Sequence, residues 1–264
     1  MNQAYETILA STEDGITTVT FNRPQKKNAM NPKMHREMDQ VLTLLARDPG
    51  CRVLVLTGAG DSWCAGEDLE EYFYNLADKP LERSDASTWS KWRGEKLRLL
   101  PKPTIASING WCVGGAFTTL SSCDIAIAAD EAKFCLSEIN FGHFPGGEVT
   151  RAVSSILAPR DFLYLSLTGE IIDAKTAFAI GLVNHVVPAN QLEAKTMDIA
   201  NRIANKGPIA LKLAKEAVKL ASRSNLDEGL RREVDLFALC FSTEDKDEGV
   251  SAFLEKRKPA FKGR

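Results

Sequence analysis

Short β-rich segments alternate with helical segments over the first 149 residues of the chain, and the remainder is mostly helical. The β-rich runs at 16–21, 52–57 and 104–108 consist mainly of β-branched and other apolar residues, as in strands that are covered on both faces. Strands alternating with helices, followed by helices alone, predict an α/β core with a helical C-terminal region. A single large core with such an appendage suits the 264 residues.

The composition excludes several classes of protein. The net charge of -2 argues against a general nucleic-acid binder, which usually carries a basic excess. No apolar stretch reaches the ~20 residues of a membrane helix, and residues 1–15 lack the basic and apolar regions of a secretory signal. The six cysteines form no CxxC pair, which favours buried thiols over a disulfide framework or a metal site. We therefore expect a cytoplasmic protein with no metal, nucleic-acid or membrane partner.

Three segments carry the residues from which chemistry can be built. Residues 62–69 (SWCAGEDL) and 109–117 (NGWCVGGAF) each follow a strand and precede a helix, and residues 134–142 (FCLSEINFG) place Glu138 between a strand and a Gly/Pro-rich loop. The first free N–H groups of a helix point along its axis, where the helix dipole favours negative charge. Two such starts facing one point would form an oxyanion hole for a thioester enolate, with a glutamate nearby to move the proton.

Each segment taken alone has a simpler structural interpretation. A Gly-Gly pair at a helix start is usually a packing contact, and a Ser-Glu pair after a strand is usually a cap or a solvated turn. Gly58 and Gly60 resemble the start of a dinucleotide-binding fingerprint, but Trp63 stands where the third glycine is needed. The chain also lacks a GxSxG elbow, an HExxH helix and a P-loop. The three segments together, in this order, favour acyl-thioester chemistry.

Segments throughout the chain resemble the crotonase (enoyl-CoA hydratase/isomerase) superfamily. The matching stretches are 22–24 (NRP) through 28–30 (NAM), 63–66 (WCAG), 108–110 (ING) with Gly114-Gly115, 123–124 (CD) and 253–257 (FLEKR). The resemblance implies a spiral of ββα units with the acyl-CoA site at residues 1–200 and a helical trimerisation region at residues 201–264. It also implies a homotrimer or a dimer of trimers. The substrate would be an acyl-CoA thioester, so that coenzyme A arrives as part of the substrate and no cofactor is tightly bound.

The same resemblance implies roles for individual residues. The backbone N–H groups of Glu67 and Gly115 would hold the thioester oxygen, and Glu138 would move the protons. Gly114 would also bind the substrate. Coenzyme A would lie near Lys27, Ala29 and Ala65. Phe253 and Lys256 of a neighbouring subunit would close over it. A lysine beside a phosphate is electrostatically sensible, although a solvated helix charge is the simpler interpretation of Lys256 from the sequence alone.

One position departs from the usual pattern of the superfamily. Ordinary enoyl-CoA hydratases carry two glutamates, whereas this chain has Thr118 at the first position and Glu138 at the second. The hydroxycinnamoyl-CoA (feruloyl-CoA) hydratase-lyases resemble the chain in keeping only the later glutamate and in the stretch 65–73 (AGEDLEEYF). In that branch a tyrosine matching Tyr72 meets the phenolic hydroxyl of the substrate, and an exposed tyrosine tip suits such a partner.

The branch resemblance leads to the hypothesis that the chain hydrates an aryl-enoyl-CoA and cleaves the product to an aromatic aldehyde and acetyl-CoA. Three features depart from the branch: Glu67 replaces a hydrophobic residue, residues 226–242 contain no second phenol-binding tyrosine, and the loop 143–148 differs and could bring Glu148 near the site. Two alternatives therefore stay open. One is a single-glutamate hydratase or isomerase acting on aliphatic enoyl-CoA, and the other is a catalytically inactive acyl-CoA-binding homologue.

Overall fold

The computed structural model describes residues 5–264, and two β-sheets form its centre. The first four residues belong to the stretch searched for a secretory signal and to the predicted 1–200 core, and they lie outside the described residues. The strands are β1 (Ile8–Glu13), β2 (Ile16–Phe21), β3 (Val53–Gly58), β4 (Ser62–Cys64), β5 (Thr104–Ile108), β6 (Trp111–Val113), β7 (Ile125–Ala129), β8 (Lys133–Cys135), β9 (Ile172–Asp173) and β10 (His185–Val187).

The two sheets are built from strands that alternate along the chain. The larger sheet has the order β1-β2-β3-β5-β7-β10 and the smaller sheet has the order β4-β6-β8-β9. Neighbouring strands pair in parallel, except that β1 with β2 and β8 with β9 are antiparallel. Each of β3, β5 and β7 is followed by one strand of the smaller sheet and then by a helical segment. This repeat is the ββα unit that the sequence predicts, and each parallel pair is joined by a crossover.

The helices flank the sheets and then make up most of the chain beyond β8. They are α1 (Pro32–Arg47), α2 (Pro80–Ser90), α3 (Leu97–Leu99), α4 (Ala116–Ser122), α5 (Val149–Val153), α6 (Pro159–Thr168), α7 (Ala174–Ala179), α8 (Leu192–Ala204), α9 (Pro208–Ala221), α10 (Leu226–Phe241) and α11 (Glu244–Leu254). The apolar stripe Met34, Met38, Leu42 and Leu45 predicts a helix at 32–45 with Asn31 as its cap. Helix α1 begins there, because the Asn31 side chain accepts a hydrogen bond from the Met34 backbone N–H. Within residues 5–264, no helix has the length and apolar character needed to cross a membrane.

Three sequence-based assignments need correction. Residues 62–64 and 111–113, which the sequence places between a strand and a helix, are themselves strands, β4 and β6, and they pair with each other. Strands of three residues are too short to show an alternating pattern, so they gave no sequence signal. The sequence also predicts one helix at 84–100, ended by Pro101 and Pro103. The structure divides it: α2 ends at Ser90, and a π-helical turn, Trp92–Lys96, follows.

Gly58 has a structural explanation that replaces the incomplete dinucleotide fingerprint. A Cβ at this position would lie 2.2 Å from the carbonyl oxygen of Ser62. The chain therefore needs glycine where it leaves the larger sheet and folds back into β4. Trp63 of β4 is fully buried, packs edge-on against Phe21 with ring centroids 5.7 Å apart, and donates from Nε1 to the carbonyl of Leu56. These contacts fix the start of the segment that carries Ala65, Gly66 and Glu67.

Candidate active site

A cavity of about 470 Å³ lies where β4, β6 and β8 end. All three chemistry-bearing segments contribute to its wall, through Ala65, Gly66, Glu67, Val113, Gly114, Gly115, Ser137 and Glu138. The parallel pairing of β4 with β6 and of β6 with β8 explains this convergence, since the carboxyl ends of parallel strands meet at one edge. The structure therefore brings together the residues that the sequence predicted would share a site.

Two residues of the cavity wall, Glu67 and Gly115, have backbone N–H groups that donate to no other backbone group in the described part of the chain. An isolated parallel bridge joins Met30 to Glu67: the Met30 N–H donates to the carbonyl of Gly66, and the Asp68 N–H donates to the carbonyl of Met30. Because Met30 bonds to the residues on either side of Glu67, the N–H of Glu67 itself points away from Met30. Gly115 immediately precedes α4, and neither its N–H nor that of Glu67 donates a hydrogen bond within the described part of the chain. The two groups thus have the free donors that an oxyanion hole requires.

Gly66 allows the two donors to approach each other. Its φ is +89°, and a Cβ there would lie 2.7 Å from the carbonyl oxygen of Val113 and 3.3 Å from the nitrogen of Gly115. Since Gly66 is bonded through its carbonyl to the Glu67 nitrogen, the Glu67 and Gly115 donors are held on neighbouring stretches of backbone. A side chain at position 66 would push them apart.

Glu138 is a half-buried carboxylate beside these donors. It lies in a 3-10 turn, Ser137–Phe141, directly after β8. A Cβ on Gly114 would stand 3.0 Å from Glu138 Oε1, so the carboxylate lies close to the Gly114 backbone. Oε2 is buried and accepts no hydrogen bond from the described residues. Burial raises the pKa of Glu138, more than its own backbone N–H and the nearby His143 lower it, so the carboxylate is unpaired and suited to exchanging protons.

Thr118 and Glu148 do not supply a second proton-transfer group in the cavity. Thr118 is fully buried, and its hydroxyl donates to the carbonyl of Gly147 at 3.1 Å. Glu148 is absent from the cavity wall and turns toward Gly94, where a Cβ would lie 2.2 Å from its Oε2. The 143–148 loop thus places the Glu148 carboxylate near Arg93 but outside the cavity wall.

The Glu67 side chain also enters the site, and it is held by two partners. Its Oε1 lies 2.5 Å from Arg93 Nη1, and its Oε2 lies 2.8 Å from His35 Nε2. Only 11% of the Glu67 side chain is exposed, and the two partners are more deeply buried. Burial by itself raises the pKa of the Glu67 carboxyl, but the charge of Arg93 and the contact with His35 outweigh it and hold the pKa below its usual value. Glu67 is consequently ionised at neutral pH.

Trp92 determines which nitrogen of His35 carries the proton. The indole N–H of Trp92 donates to His35 Nδ1 at 3.1 Å, and an indole nitrogen cannot accept. Nδ1 must then be the acceptor, and Nε2 carries the proton that His35 donates to Glu67. With His35 neutral, the Glu67–Arg93 pair has no net charge.

Tyr72, which the branch resemblance places beside the acyl group, lines the same cavity. It lies in a π-helical turn, Leu69–Tyr74, which Asp68 caps by accepting from the N–H groups of Glu70 and Glu71. Its ring packs edge-on against His35 with centroids 5.5 Å apart. The ring therefore stands next to the side chains that fix Glu67.

The residues expected around coenzyme A fall into two groups. Ala65 lines the cavity and its N–H donates to the carbonyl of Lys27, whose ammonium lies 5.7 Å from the centre of the Trp111 ring. Ala29 is buried two residues further along the same loop. Phe253 and Lys256 do not reach this cavity within one chain. Phe253 is 81% exposed and borders a separate cavity between the C-terminal helices.

The sequence did not point to His35, Trp92 or Arg93. His35 lies 32 residues from Glu67 and 57 residues from Trp92 along the chain, so spacing could not connect them. The one available signal was Glu67 itself, because a charged residue at a position usually hydrophobic requires a partner when buried.

The family described as enoyl-CoA hydratase/isomerase matches residues 11–264 of the chain. Among curated proteins, the hydroxycinnamoyl-CoA hydratase-lyase of Pseudomonas fluorescens is 40% identical over 96% of this chain and 94% of its own length. The crotonyl-CoA hydratase of Syntrophomonas wolfei is 36% identical over 98% of both chains. Among solved structures, an enoyl-CoA hydratase from Bacillus anthracis superposes with a TM-score of 0.92 at 34% identity, covering 98% of this chain and 100% of the other. The predicted crotonase-type α/β fold is thus confirmed.

Proposed function

The chain belongs to the enoyl-CoA hydratase/isomerase family, and within that family we propose that it hydrates an aryl-enoyl-CoA thioester, such as feruloyl- or 4-coumaroyl-CoA, and then cleaves the product. The observation that carries this proposal is a single unpartnered carboxylate, Glu138, facing the oxyanion hole in a cavity that Tyr72 also lines. The 40% identity to a hydroxycinnamoyl-CoA hydratase-lyase supports the aryl substrate and the lyase step.

The hydration step needs one proton-transfer group. The thioester oxygen accepts hydrogen bonds from the N–H groups of Glu67 and Gly115, which stabilise the enolate. Glu138 takes a proton from water as the water oxygen bonds to the β-carbon, and the electron pair of the double bond moves to the enolate. The protonated Glu138 then returns the proton to the α-carbon. Because its pKa is raised by burial, Glu138 exchanges this proton more readily than a solvated glutamate.

The cleavage step uses the same groups. Glu138 accepts the proton of the β-hydroxyl, the bond between the α- and β-carbons breaks, and an aldehyde leaves. The electron pair of the broken bond forms the enolate of acetyl-CoA in the oxyanion hole. Glu138 finally protonates the α-carbon, so water is the only co-reactant.

Aliphatic enoyl-CoA hydration is the second candidate, and a specific comparison favours it. The Syntrophomonas wolfei relative covers as much of the chain as the lyase does and is named a crotonyl-CoA hydratase. The aliphatic candidate is also favoured by Glu67, because its side chain brings a charge to the cavity that would receive the aryl group. An inactive acyl-CoA-binding protein is disfavoured by the free Glu138 carboxylate and the free N–H donors.

We further propose that Lys27, Ala29 and Ala65 flank the adenine and ribose-phosphate part of coenzyme A, and that residues 201–264 mediate assembly into a homotrimer or a dimer of trimers. Phe253 and Lys256 would then reach the substrate bound by a neighbouring subunit. Their distance from the acyl cavity within one chain agrees with this arrangement. A cytoplasmic location stays a prediction.

Product analysis tests the proposed reaction. Purified protein is incubated with 4-coumaroyl-CoA, crotonyl-CoA and a 3-enoyl-CoA, and the products are separated by chromatography. The proposal predicts 4-hydroxybenzaldehyde and acetyl-CoA in equal amounts from the first substrate. Hydration of crotonyl-CoA without any aldehyde from the aryl substrate would replace the lyase assignment by the aliphatic one, and tight thioester binding without turnover would indicate the inactive homologue.

A further inference from the structure

Arg93 contacts both residues whose N–H groups form the oxyanion hole. Its Nη1 lies 2.5 Å from Glu67 Oε1 and 3.5 Å from the carbonyl oxygen of Gly115. A Cβ on Gly115 would stand 2.9 Å from the same nitrogen. Arg93 itself is only 3% exposed, and its Nε donates to the carbonyl of Ser90 at the end of α2. One buried guanidinium thus spans the two sides of the hole.

The Glu67 carboxylate is an unfavourable neighbour for an enolate. A Cβ on Gly115 would lie 3.6 Å from Glu67 Oε1, so the carboxylate is close to one of the donors that must hold the negative oxygen. At such distances, and with little water between them, two negative charges repel strongly. The His35 imidazole cannot cancel this charge while it is neutral and donating to Glu67. The positive charge in direct contact with the carboxylate is that of Arg93.

We propose that Arg93 is a positioning and charge-compensating residue, which holds the Glu67 and Gly115 donors together and neutralises the Glu67 carboxylate so that an enolate can form beside it. The inference rests on the acyl-CoA enolate of the proposed function, but not on the identity of the acyl group or on cleavage. It explains how the chain tolerates a buried glutamate at the oxyanion loop. The carboxylate supplies an ion pair that orders the guanidinium, and the guanidinium removes the electrostatic penalty of the carboxylate.

The charged groups that face this pair come from several elements. His35 approaches from α1, Glu138 lines the same cavity from the 3-10 turn after β8, and Glu148 lies near Arg93 at the start of α5. Both carboxylates would add negative potential if Arg93 were removed. The effect of losing Arg93 should therefore be large, and it should be relieved by removing the charge of Glu67.

Acetoacetyl-CoA provides a test that requires no turnover. Its acidic α-carbon forms a stable enolate, whose ultraviolet absorbance reports the fraction ionised when the thioester is bound. The variants are Arg93→Met, Glu67→Gln and the double variant, compared with the unmodified protein at one alkaline pH and at saturating ligand. Arg93→Met should lower the ratio of bound enolate to neutral ligand by ~100-fold, the scale of losing one oxyanion-hole donor. Adding Glu67→Gln should recover at least ~10-fold of that loss, because the two residues are directly coupled.

The Glu67→Gln variant alone separates charge from structure. It leaves the backbone donor in place and leaves Arg93 unneutralised, so it should raise the enolate ratio above that of the unmodified protein. A fall in this ratio, or a double variant that binds enolate no better than Arg93→Met, would overturn the proposal. The Glu67→Gln measurement decides the matter even if Arg93→Met does not fold.

Asp68, the residue after Glu67, forms a second ion pair that supplies the matched control. Arg23 and Asp68 form a buried pair at 3.0 Å, and neither residue lines the cavity. Arg23→Met should lower the melting temperature without changing the ratio of bound enolate to neutral ligand. Adding Asp68→Asn to that variant should leave the enolate ratio unchanged as well. The expected enolate pattern at Arg93 without turnover of any enoyl thioester would refute the proposed function and leave the inference standing. Turnover of an enoyl thioester without that enolate pattern would support the proposed function and refute the inference about Arg93.

Discussion

Glu138 is the residue on which the proposed chemistry depends most directly. Its unpartnered Oε2 and its position close to Gly114 place one free carboxylate beside the oxyanion hole. Glu138→Gln keeps the shape but removes the proton-transfer group, so kcat should fall by at least ~100-fold. Binding of acyl-CoA should change by only a few-fold. The measurements are steady-state kinetics and calorimetric titration with a saturated acyl-CoA.

Glu148→Gln serves as the matched control for this prediction, since the Glu148 side chain lies outside the cavity wall. Little change in kcat is expected there. If instead Glu138→Gln retained most of the activity and Glu148→Gln lost it, the proton-transfer role would belong to Glu148.

The pH dependence of kcat/KM reports the same carboxylate. Glu138 must be ionised in the free enzyme to accept a proton from water, and burial raises its pKa. As pH falls through that raised pKa, the carboxylate is protonated and kcat/KM should fall, at a pH above the ~4.3 of an ordinary glutamate. The acidic limb should be absent from the residual activity of Glu138→Gln. An identical limb in that variant would assign it to another group.

Tyr72 distinguishes the aryl substrate from the aliphatic one. A phenolic substrate would exchange a hydrogen bond with the Tyr72 hydroxyl, and losing one partner of a buried hydrogen bond costs ~1–3 kcal/mol. For Tyr72→Phe we expect roughly a ten- to hundred-fold loss in kcat/KM with a 4-hydroxycinnamoyl thioester, and almost no loss with an aliphatic enoyl thioester. Tyr74→Phe is the control, because Tyr74 is 81% exposed on the same turn. Equal losses on both substrates would count against the phenol role.

The residues of the site differ in how far the sequence could identify them. Glu138, Gly114 and Gly115 lie in short motifs that keep their order, so their convergence was predictable. Arg93 and His35 belong to helical segments with no motif, and only the folded chain brings them to Glu67. Among residues 5–264, the cavity wall has no second tyrosine to complete the phenol site expected in the hydroxycinnamoyl-CoA branch, as the sequence of 226–242 indicates.

At the scale of elements, the start of α4 is the most informative feature. Gly115 has φ −54° and ψ −18°, values that proline also adopts. Gly115→Pro therefore removes one donor with little demand on the φ of that residue, and its Cβ crowds Arg93 as that of alanine would. Turnover should fall by ~100-fold or more. Gly115→Ala keeps the N–H while crowding Arg93, so its loss should be smaller. Circular dichroism and melting temperature check folding, and a well-folded proline variant with near-normal turnover would exclude Gly115 as a donor.

Element prediction succeeded where periodicity was strong and failed where elements are short. Helix α1 was predicted with its Asn31 cap, because an apolar stripe of four residues marks it. Strands β4 and β6 were missed because three residues cannot establish a period. Strand β1 was missed because it lies at the sheet edge with mostly exposed, polar residues. The missed strands β4 and β6 are the ones that aim the oxyanion segments at the cavity.

At the scale of the whole molecule, α10 carries an apolar stripe that one chain leaves exposed. Leu230, Val234, Phe237 and Phe241 recur at helical spacing, and each is more than half exposed. A contiguous apolar surface of this kind marks an interaction site. The proposed homotrimer would cover this stripe, since the resemblance to the crotonase superfamily implies assembly through residues 201–264.

Charged substitutions on this stripe test the assembly and its link to activity. We expect the unmodified protein to sediment as a trimer or a multiple of trimers, and Val234→Lys combined with Phe237→Lys to shift it toward monomers, because burying two unpaired lysines is costly. If Phe253 and Lys256 of a neighbouring subunit close over coenzyme A, the dissociated protein should also show a higher KM for its thioester. Leu44→Lys, at a half-exposed position on α1, is the matched control and should change neither property. Analytical ultracentrifugation and steady-state kinetics on the same preparations decide the outcome. A monomeric unmodified protein would exclude the trimer. A dissociated variant with an unchanged KM would leave the trimer in place and exclude only the contribution of the neighbouring subunit to coenzyme A binding.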